Sequence, residues 1–553
     1  MFMVGALDTV PSIRPVLCLH ETVCAGAADG FARMASRPAC TLLHLGPGLA
    51  NATAALHNAR RARTAVVNLV GDMAGWHADA DAPLAMDIEE LSCAVSGFAR
   101  TSRSAATLER DAADAVAATL APHGAHASAV GASLRRPCRV LSLSSLTLAH
   151  AATLVVPHDA TWAKAPRRSD AELAASAARA LSEARSHAAT GSAPLGSPAA
   201  AAFMAACAAA LRAAPAGTVA LLLGGDALLS DNGALSAAAA VSAALRGAPL
   251  LCANNFARVD RGAGVPPVTR LPYFPRDAAK ALAPFKTLVL VDAQLPVAMF
   301  GYEGGVSRVC TLTDDAIWEL DAADAAGALR ALATALGASS TDAVPVPSAP
   351  AAPPSASPAT ALTAGLMCAT VAAAQPAGAI IVDESLTSGT EYWALSQSSP
   401  PFSHLTLTGG AIGFGPPAAL GAAVACPGRR VINLQADGSG MYSLQALWSQ
   451  ARVQADVITV ICANQRYAIL KLELALQRVP VTAPAPGLAA SDAAGSSASR
   501  SLTDLGSPAL DWTALARGMG VPASRVATVG ELQAALREAL ARRGPTLIEA
   551  MLA

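Results

Sequence analysis

Short apolar runs that close on a polar or small residue, each followed by an alanine-rich helical stretch, recur in three blocks along the 553-residue chain. The first block carries PVLCLHE (15–21), ACTLLHLG (39–46) and TAVVNLVGD (64–72). The second carries TVALLLGGD (218–226), APLLCANN (248–255) and TLVLVDAQ (287–294), and the third AIIVDES (379–385), RVINLQAD (430–437), DVITVICAN (456–464) and TLIEAML (546–552). Strands that alternate with helices bury both faces of a sheet, so the pattern predicts parallel sheets joined by right-handed helical crossovers. The expected architecture is α/β, with three doubly wound parallel-sheet domains over residues 1–170, 197–337 and 361–553. The Pro/Ala/Ser-rich stretch 338–360 reads as a linker, and 122–150 and 487–501 read as insertions or surface loops.

Composition narrows the partners. A net charge of −1 with 14% charged residues gives no basic footprint for nucleic acid or an anionic membrane. The mean hydropathy of +0.41 comes largely from alanine. The most apolar stretch, AAAAFMAACAAAL (199–211), is stopped by Arg212 short of the roughly 20 residues a span needs. Eleven cysteines stand singly with no C-x-x-C pair, which predicts reduced thiols and a cytoplasmic setting. The first residues carry no targeting pattern, and an organelle stays an alternative because the N-terminus reads as incomplete.

Two apolar runs of the third block end on Asp437 and Asn464, a carboxylate and an amide on what the alternation makes neighbouring parallel strands. Ligands of open α/β sheets sit at such strand ends. Gly438 and Gly440 flank Ser439 and would let backbone amides approach an anion at the start of a helix over 441–453. A D-G-S sequence is equally an ordinary strand-to-helix turn with aspartate as the cap. ADGSG, followed 27 positions after its aspartate by Asn464, resembles the G-D-G-S…N signature of thiamine diphosphate enzymes, with Ala436 in place of the first glycine. The resemblance implies Mg²⁺ held by Asp437, Asn464 and the main-chain carbonyl of Arg466, an all-oxygen set suited to that ion. Gly438 and Ser439 would border the diphosphate.

LCLHETVCAGAADGFARM, near the other end of the chain, resembles the pyrimidine-domain motif of the acetolactate synthase and benzoylformate decarboxylase group. Alone, Glu21 is a first-turn glutamate favourable to a helix dipole. Within the resemblance it is the acid that hydrogen-bonds the cofactor's pyrimidine ring and supports removal of the thiazolium proton. The same resemblance makes Gly46, Pro47 and Gly48 a cofactor loop. It places Gly410 and Ile412 in GGAIGFG, where an apolar side chain would wedge between the cofactor's rings.

His44 occupies the place of the benzoylformate decarboxylase histidine and is a second catalytic candidate, or a satisfied strand-end histidine. His77 and Asp81 are weaker candidates. Leu470 stands where pyruvate decarboxylases carry a glutamate. The resemblance therefore implies an acetolactate synthase-like 2-oxo acid decarboxylase or carboligase. Benzoylformate decarboxylation, 2-hydroxyacyl-CoA lysis and a non-catalytic scaffold are the alternatives. It implies a homodimer or homotetramer and leaves FAD in the middle domain undecided. It also implies a first domain lacking its usual opening strand and helix.

Overall fold

The computed structural model describes residues 2–120, 151–163, 195–320, 324–338, 354–476 and 501–553, with scattered positions over 169–182. The insertion 122–150, most of 487–501 and the first part of the linker lie outside the described residues.

Three sheets form. The first holds β1 (Ala39–Leu43), β2 (Val66–Asp72), β3 (Phe98–Thr101) and β4 (Ala151–Pro157) in the order β1-β2-β4-β3, all parallel. β5 (Val219–Leu223) and β6 (Leu250–Cys252) belong to the second sheet, while β7 (Arg258–Arg261) does not. β8 (Thr269–Arg270), β9 (Thr287–Val291) and β10 (Ile317–Leu320) complete its order, β10-β9-β5-β6-β8. The third sheet takes β11 (Ile380–Glu384), β12 (Phe402–Thr406), β13 (Val431–Ala436), β14 (Val457–Ala463), β15 (Ala523–Val526) and β16 (Thr546–Met551) in the order β15-β16-β14-β13-β11-β12-β7.

The expected α/β class is what forms, and near-continuous apolar runs such as β5 and β14 are buried along their whole length. β7 departs from the alternation pattern. It crosses from the middle stretch to pair antiparallel with β12, Arg258 opposite Leu405 and Arg261 opposite Phe402. Its charged residues fit that buried edge because each is partnered: Arg258 pairs with Asp260 at 3.0 Å, Ser403 Oγ donates to Asp260 at 2.8 Å, and Arg261 lies 3.6 Å over the Trp393 ring.

Three expectations need correction. Pro15–Leu19 is not a strand: it finds no ladder, Leu17 and Leu19 stay 53% and 50% exposed, and the Leu17 carbonyl accepts from Ser449 Oγ at 3.0 Å. The helix expected over 441–453 is broken into a turn Asp437–Gly440, a 3₁₀ segment Met441–Ser443 and a helix Ala446–Val453. The small residues beside Asp437 make room for rings: a Cβ at Gly438 would lie 2.6 Å from Tyr467, and one at Gly440 would lie 2.7 Å from Trp512. Nine described cysteines are free, but Cys93 is disulfide-bonded, so reduced thiols do not hold throughout.

The stretch 199–211 lies in the helix Pro198–Ala213, which buries Met204, Cys207, Ala208 and Leu211 in the core of the middle sheet. Among the described residues no helix is long and apolar enough to cross a membrane.

Candidate active site

The helix Glu21–Ala35 starts under a cap from His20, whose Nδ1 accepts the Thr22 N–H at 3.2 Å. That start leaves Glu21 half-buried and facing the next helix, Leu45–Arg61. Glu21 Oε2 accepts from Asn51 Nδ2 at 3.1 Å, and Thr22 Oγ1 donates to the Asn51 carbonyl at 2.5 Å. A Cβ at Gly48 would meet Glu21 Oε1 at 3.3 Å and His44 Cβ at 3.5 Å. Glu21, His44 and the Gly46-Pro47-Gly48 turn are thus one neighbourhood, with the His44 ring exposed at its rim. His77 is half-buried and Asp81 exposed on a 3₁₀ segment after β2 and its cap.

At the other end, β13 and β14 run in register with Ala436 opposite Cys462, so Asp437 and Asn464 leave adjacent strand ends. Asp437 is 3% exposed. Its Oδ1 accepts the Gly438 N–H at 2.8 Å and its Oδ2 the Gln465 N–H at 2.7 Å. Burial nevertheless pushes its carboxyl above the usual range, and among the described residues no cationic side chain pairs with it. Asn464 Oδ1 accepts the Arg466 N–H at 3.0 Å and its Nδ2 donates to Ser388 Oγ at 3.3 Å. The Arg466 carbonyl accepts the Ala468 N–H at 3.0 Å. Each of these oxygens keeps a further lone pair. Ser439 Oγ accepts from Gln435 Nε2 at 2.7 Å. Ala436 sits at φ −68°, extended backbone open to any residue, so the missing first glycine costs the turn nothing.

The sequence pattern described as thiamine pyrophosphate enzyme, N-terminal TPP binding domain, matches residues 1–91, and that of the C-terminal TPP binding domain matches residues 388–550. A Mycobacterium tuberculosis (strain ATCC 25618 / H37Rv) protein, provisionally named acetolactate synthase large subunit IlvX, is 40% identical over 549 residues, 99% of this chain and 93% of its own length. The chain belongs to the thiamine pyrophosphate enzyme family. Benzoylformate decarboxylase of Pseudomonas aeruginosa is 38% identical over 174 residues, 32% of this chain and 29% of that protein. The fold is that of the Rhodococcus jostii RHA1 thiamine diphosphate-dependent 4-hydroxybenzoylformate decarboxylase. That structure aligns at TM-score 0.74 and 24% identity, over 99% of this chain and 94% of its own. This thiamine pyrophosphate enzyme is thus of the acetolactate synthase or benzoylformate decarboxylase type.

Within the family's frame, several supporting residues become visible only in three dimensions. The Gly-rich loop that bears Gly410 and Ile412 is gripped from two sides. Buried Glu384, at the end of β11, accepts the Gly413 and Gly415 N–H groups at 2.7 and 2.8 Å and Gln435 Nε2 at 3.0 Å. From the first sheet's side, Asn58 Nδ2 donates to the Ala411 carbonyl at 2.7 Å, and its Oδ1 accepts the Gly409 and Ala411 N–H groups, each at 3.2 Å. Ile412 is held half-buried and Gly410 stands exposed at φ 77°.

The A-A-D-G-F-A-R motif also gains a structural purpose. Asp29 and Arg33 form a buried pair at 2.6 Å. Arg33 also donates to the Thr406 carbonyl at 2.8 Å and lies 4.6 Å over the Phe414 ring. These residues rivet the first sheet's helix to the loop of the third. Among the described residues no hydrogen bond or ion pair joins Glu21 to Asp437 or Asn464 within one chain.

Proposed function

We propose that this chain is a thiamine diphosphate- and Mg²⁺-dependent, acetolactate synthase-like decarboxylase or carboligase of small 2-oxo acids, working as a homodimer or homotetramer in the cytoplasm. Asp437 carries the reading: a buried carboxylate with no cationic side chain paired to it among the described residues, beside an amide oxygen at the next strand end, has the donor chemistry of a site for a small hard cation. Asp437, Asn464 and the Arg466 carbonyl would hold Mg²⁺, with Gly438 and Ser439 beside the diphosphate. Thiamine diphosphate, when bound, supplies the electron sink that lets a 2-oxo acid lose CO₂.

The chain's own residues do the rest. Glu21 holds a proton at the pyrimidine ring nitrogen, kept in orientation by Asn51 Nδ2. Ile412, on a loop fixed by Glu384 and Asn58, would supply the apolar side chain against which the cofactor's rings rest. His44, at the rim of the Glu21 pocket, moves a proton to or from the substrate side. That rim histidine favours a second reading, benzoylformate decarboxylase-like protonation of the product in place of attack on a second carbonyl.

Calorimetry with thiamine diphosphate and Mg²⁺ tests the reading. Saturable binding that Asp437→Ala abolishes is expected, and binding untouched by that substitution would refute the metal site. Glu21→Gln should keep the cofactor and lose proton exchange at the thiazolium carbon. Supplying pyruvate, benzoylformate or a 2-hydroxyacyl-CoA and measuring CO₂, acetolactate or aldehyde then separates the reactions, and no turnover with any of them points to a scaffold.

A further inference from the structure

The middle sheet is parallel throughout, in the order β10-β9-β5-β6-β8. The chain lays down β5, β6 and β8 in one direction, then returns to the far side of β5 for β9 and β10. Its order therefore reverses between β5 and β9. Open α/β sheets bind nucleotides outside the carboxyl ends of the strands at such a reversal. Here β5 runs into Gly224-Gly225-Asp226, glycines of the sort that admit a pyrophosphate, and β9 runs into Asp292.

That crevice is already filled. Asp292 is 4% exposed and adopts φ 49°, a left-handed conformation uncommon for a residue with a side chain. Its Oδ2 accepts the Asp226 N–H at 2.8 Å, the kind of backbone donor a phosphate would use. Its Oδ1 accepts from Arg63 Nη1 at 2.6 Å, and its main-chain carbonyl accepts from Arg63 Nη2 at 2.8 Å. Arg63 arrives from the first sheet's side, two residues past the helix Leu45–Arg61. A Cβ at Gly224 would lie 2.4 Å from the Asp292 carbonyl oxygen. One at Gly225 would lie 1.9 Å from Asp292 Oδ2 and 2.8 Å from Arg63 Nη2. The two glycines make room for the chain's own Asp292, Gly224 for its carbonyl and Gly225 for its carboxylate.

We propose that Asp292 and Arg63 plug the nucleotide crevice of the middle sheet. The chain then takes neither FAD nor another adenine nucleotide there, and the crevice docks the middle sheet against the segment leaving the Leu45–Arg61 helix. A phosphate entering this point would meet a buried carboxylate of like charge, and the Arg63 guanidinium beside it is already paired. The residues present do not fit a flavin dinucleotide at this position.

The test is direct binding to the full chain, apart from turnover. Wild-type protein is titrated with FAD, followed by flavin fluorescence, and with ADP by calorimetry; thiamine diphosphate with Mg²⁺ serves as the control in the same preparation. Neither FAD nor ADP should show saturable binding, and stoichiometric FAD binding by the wild type overturns the proposal. Asp292→Gly frees the Asp226 N–H and Arg63 Nη1, and ADP affinity should rise by about tenfold or more. Asp292→Asn, which keeps the volume and an acceptor for Asp226, should stay closed. A folded Asp292→Gly protein that binds ADP no better than wild type also overturns the plug. If that variant fails to fold, the wild-type FAD titration still decides. Loss of the thiamine diphosphate control would count against the function proposed above and leave the crevice result standing.

Discussion

Asn58 places both ends of its amide on one loop, and it lies 353 positions from its farthest partner, Ala411. Asn58→Ala leaves the Ala411 carbonyl and two N–H groups to find water, a loss of about 1–2 kcal/mol. Urea unfolding should show that loss, and calorimetry should show thiamine diphosphate binding weakened by about tenfold, because the loop under Ile412 loosens. His404 yields a second prediction. It is fully buried among Tyr392, Trp393, Phe256 and Phe402, with Asp383 at 3.4 Å and Arg261 and Arg270 nearby. Burial outweighs the Asp383 contact and holds the imidazole pKa down to about 4. The unfolded chain, with histidine near its ordinary value of about 6.5, then binds more protons than the folded one between those limits. Stability is therefore fully present above about pH 6.5 and falls as the pH drops toward 4, by up to about 3 kcal/mol. Asp383, whose carboxyl is held low by His404 and Ser385, adds a loss of the same sign at still lower pH. The unfolding midpoint of His404→Gln should be flatter than wild type across that window. Asp437 and Asn464 were legible in the sequence because strand ends and spacing are local properties. Asn58, Glu384 and His404 were not, since what they do is set by contacts across sheets that no short pattern encodes.

At the scale of elements, the helix Glu21–Ala35 packs backbone to backbone against the helix Gly415–Ala425. A Cβ at Gly30 would sit 2.1 Å from the Ala418 carbonyl oxygen, and one at Gly421 would sit 1.9 Å from the Ala27 carbonyl oxygen. Backbone cannot yield as a long side chain can, so Gly30→Ala must pry the two helices apart. Overpacking of that kind costs about 1–3 kcal/mol. The expected result is a lower urea midpoint together with weaker cofactor binding, because the second helix directly follows the Gly-rich loop. Gly428→Ala is the control: at φ 93° it is strained locally, yet nothing lies within 4 Å of its added Cβ, so cofactor affinity should hold. Strands and helices of the three blocks were readable because apolar runs and alanine-rich stretches carry different periods. Pro15–Leu19 misled because an apolar run makes a strand only where a neighbour offers its backbone. The break after Asp437 was hidden for a similar reason, since Tyr467 and Trp512, which occupy the space beside the glycines, come from distant segments. β7 was hidden most completely, because a four-residue strand with three charges reads as a loop until Asp260, Ser403 and Trp393 supply its partners.

For the whole molecule, Glu21 on the first sheet's helix and Asp437 at a strand end of the third sheet raise a testable question, how many chains make one active centre. Glu21 faces Asn51 and Gly48, Asp437 faces Gln465, and among the described residues no bond bridges the two groups inside one chain. The helices behind them are locked together by Gly30, Gly421 and the Asp29–Arg33 pair, so a hinge that swings one half onto the other would have to break buried contacts. In the homo-oligomer proposed above, two chains related by a twofold axis would each lend Glu21 to the other's Asp437. Mixing two inactive variants tests this. Glu21→Gln and Asp437→Ala chains, unfolded together and refolded as a mixture, would give mixed dimers with one doubly altered site and one intact site. If the centre is shared, about a quarter of wild-type activity should return, from one intact site in the half of the dimers that are mixed. If both groups serve one centre within a chain, every site keeps one lesion and activity stays at the level of the separate variants.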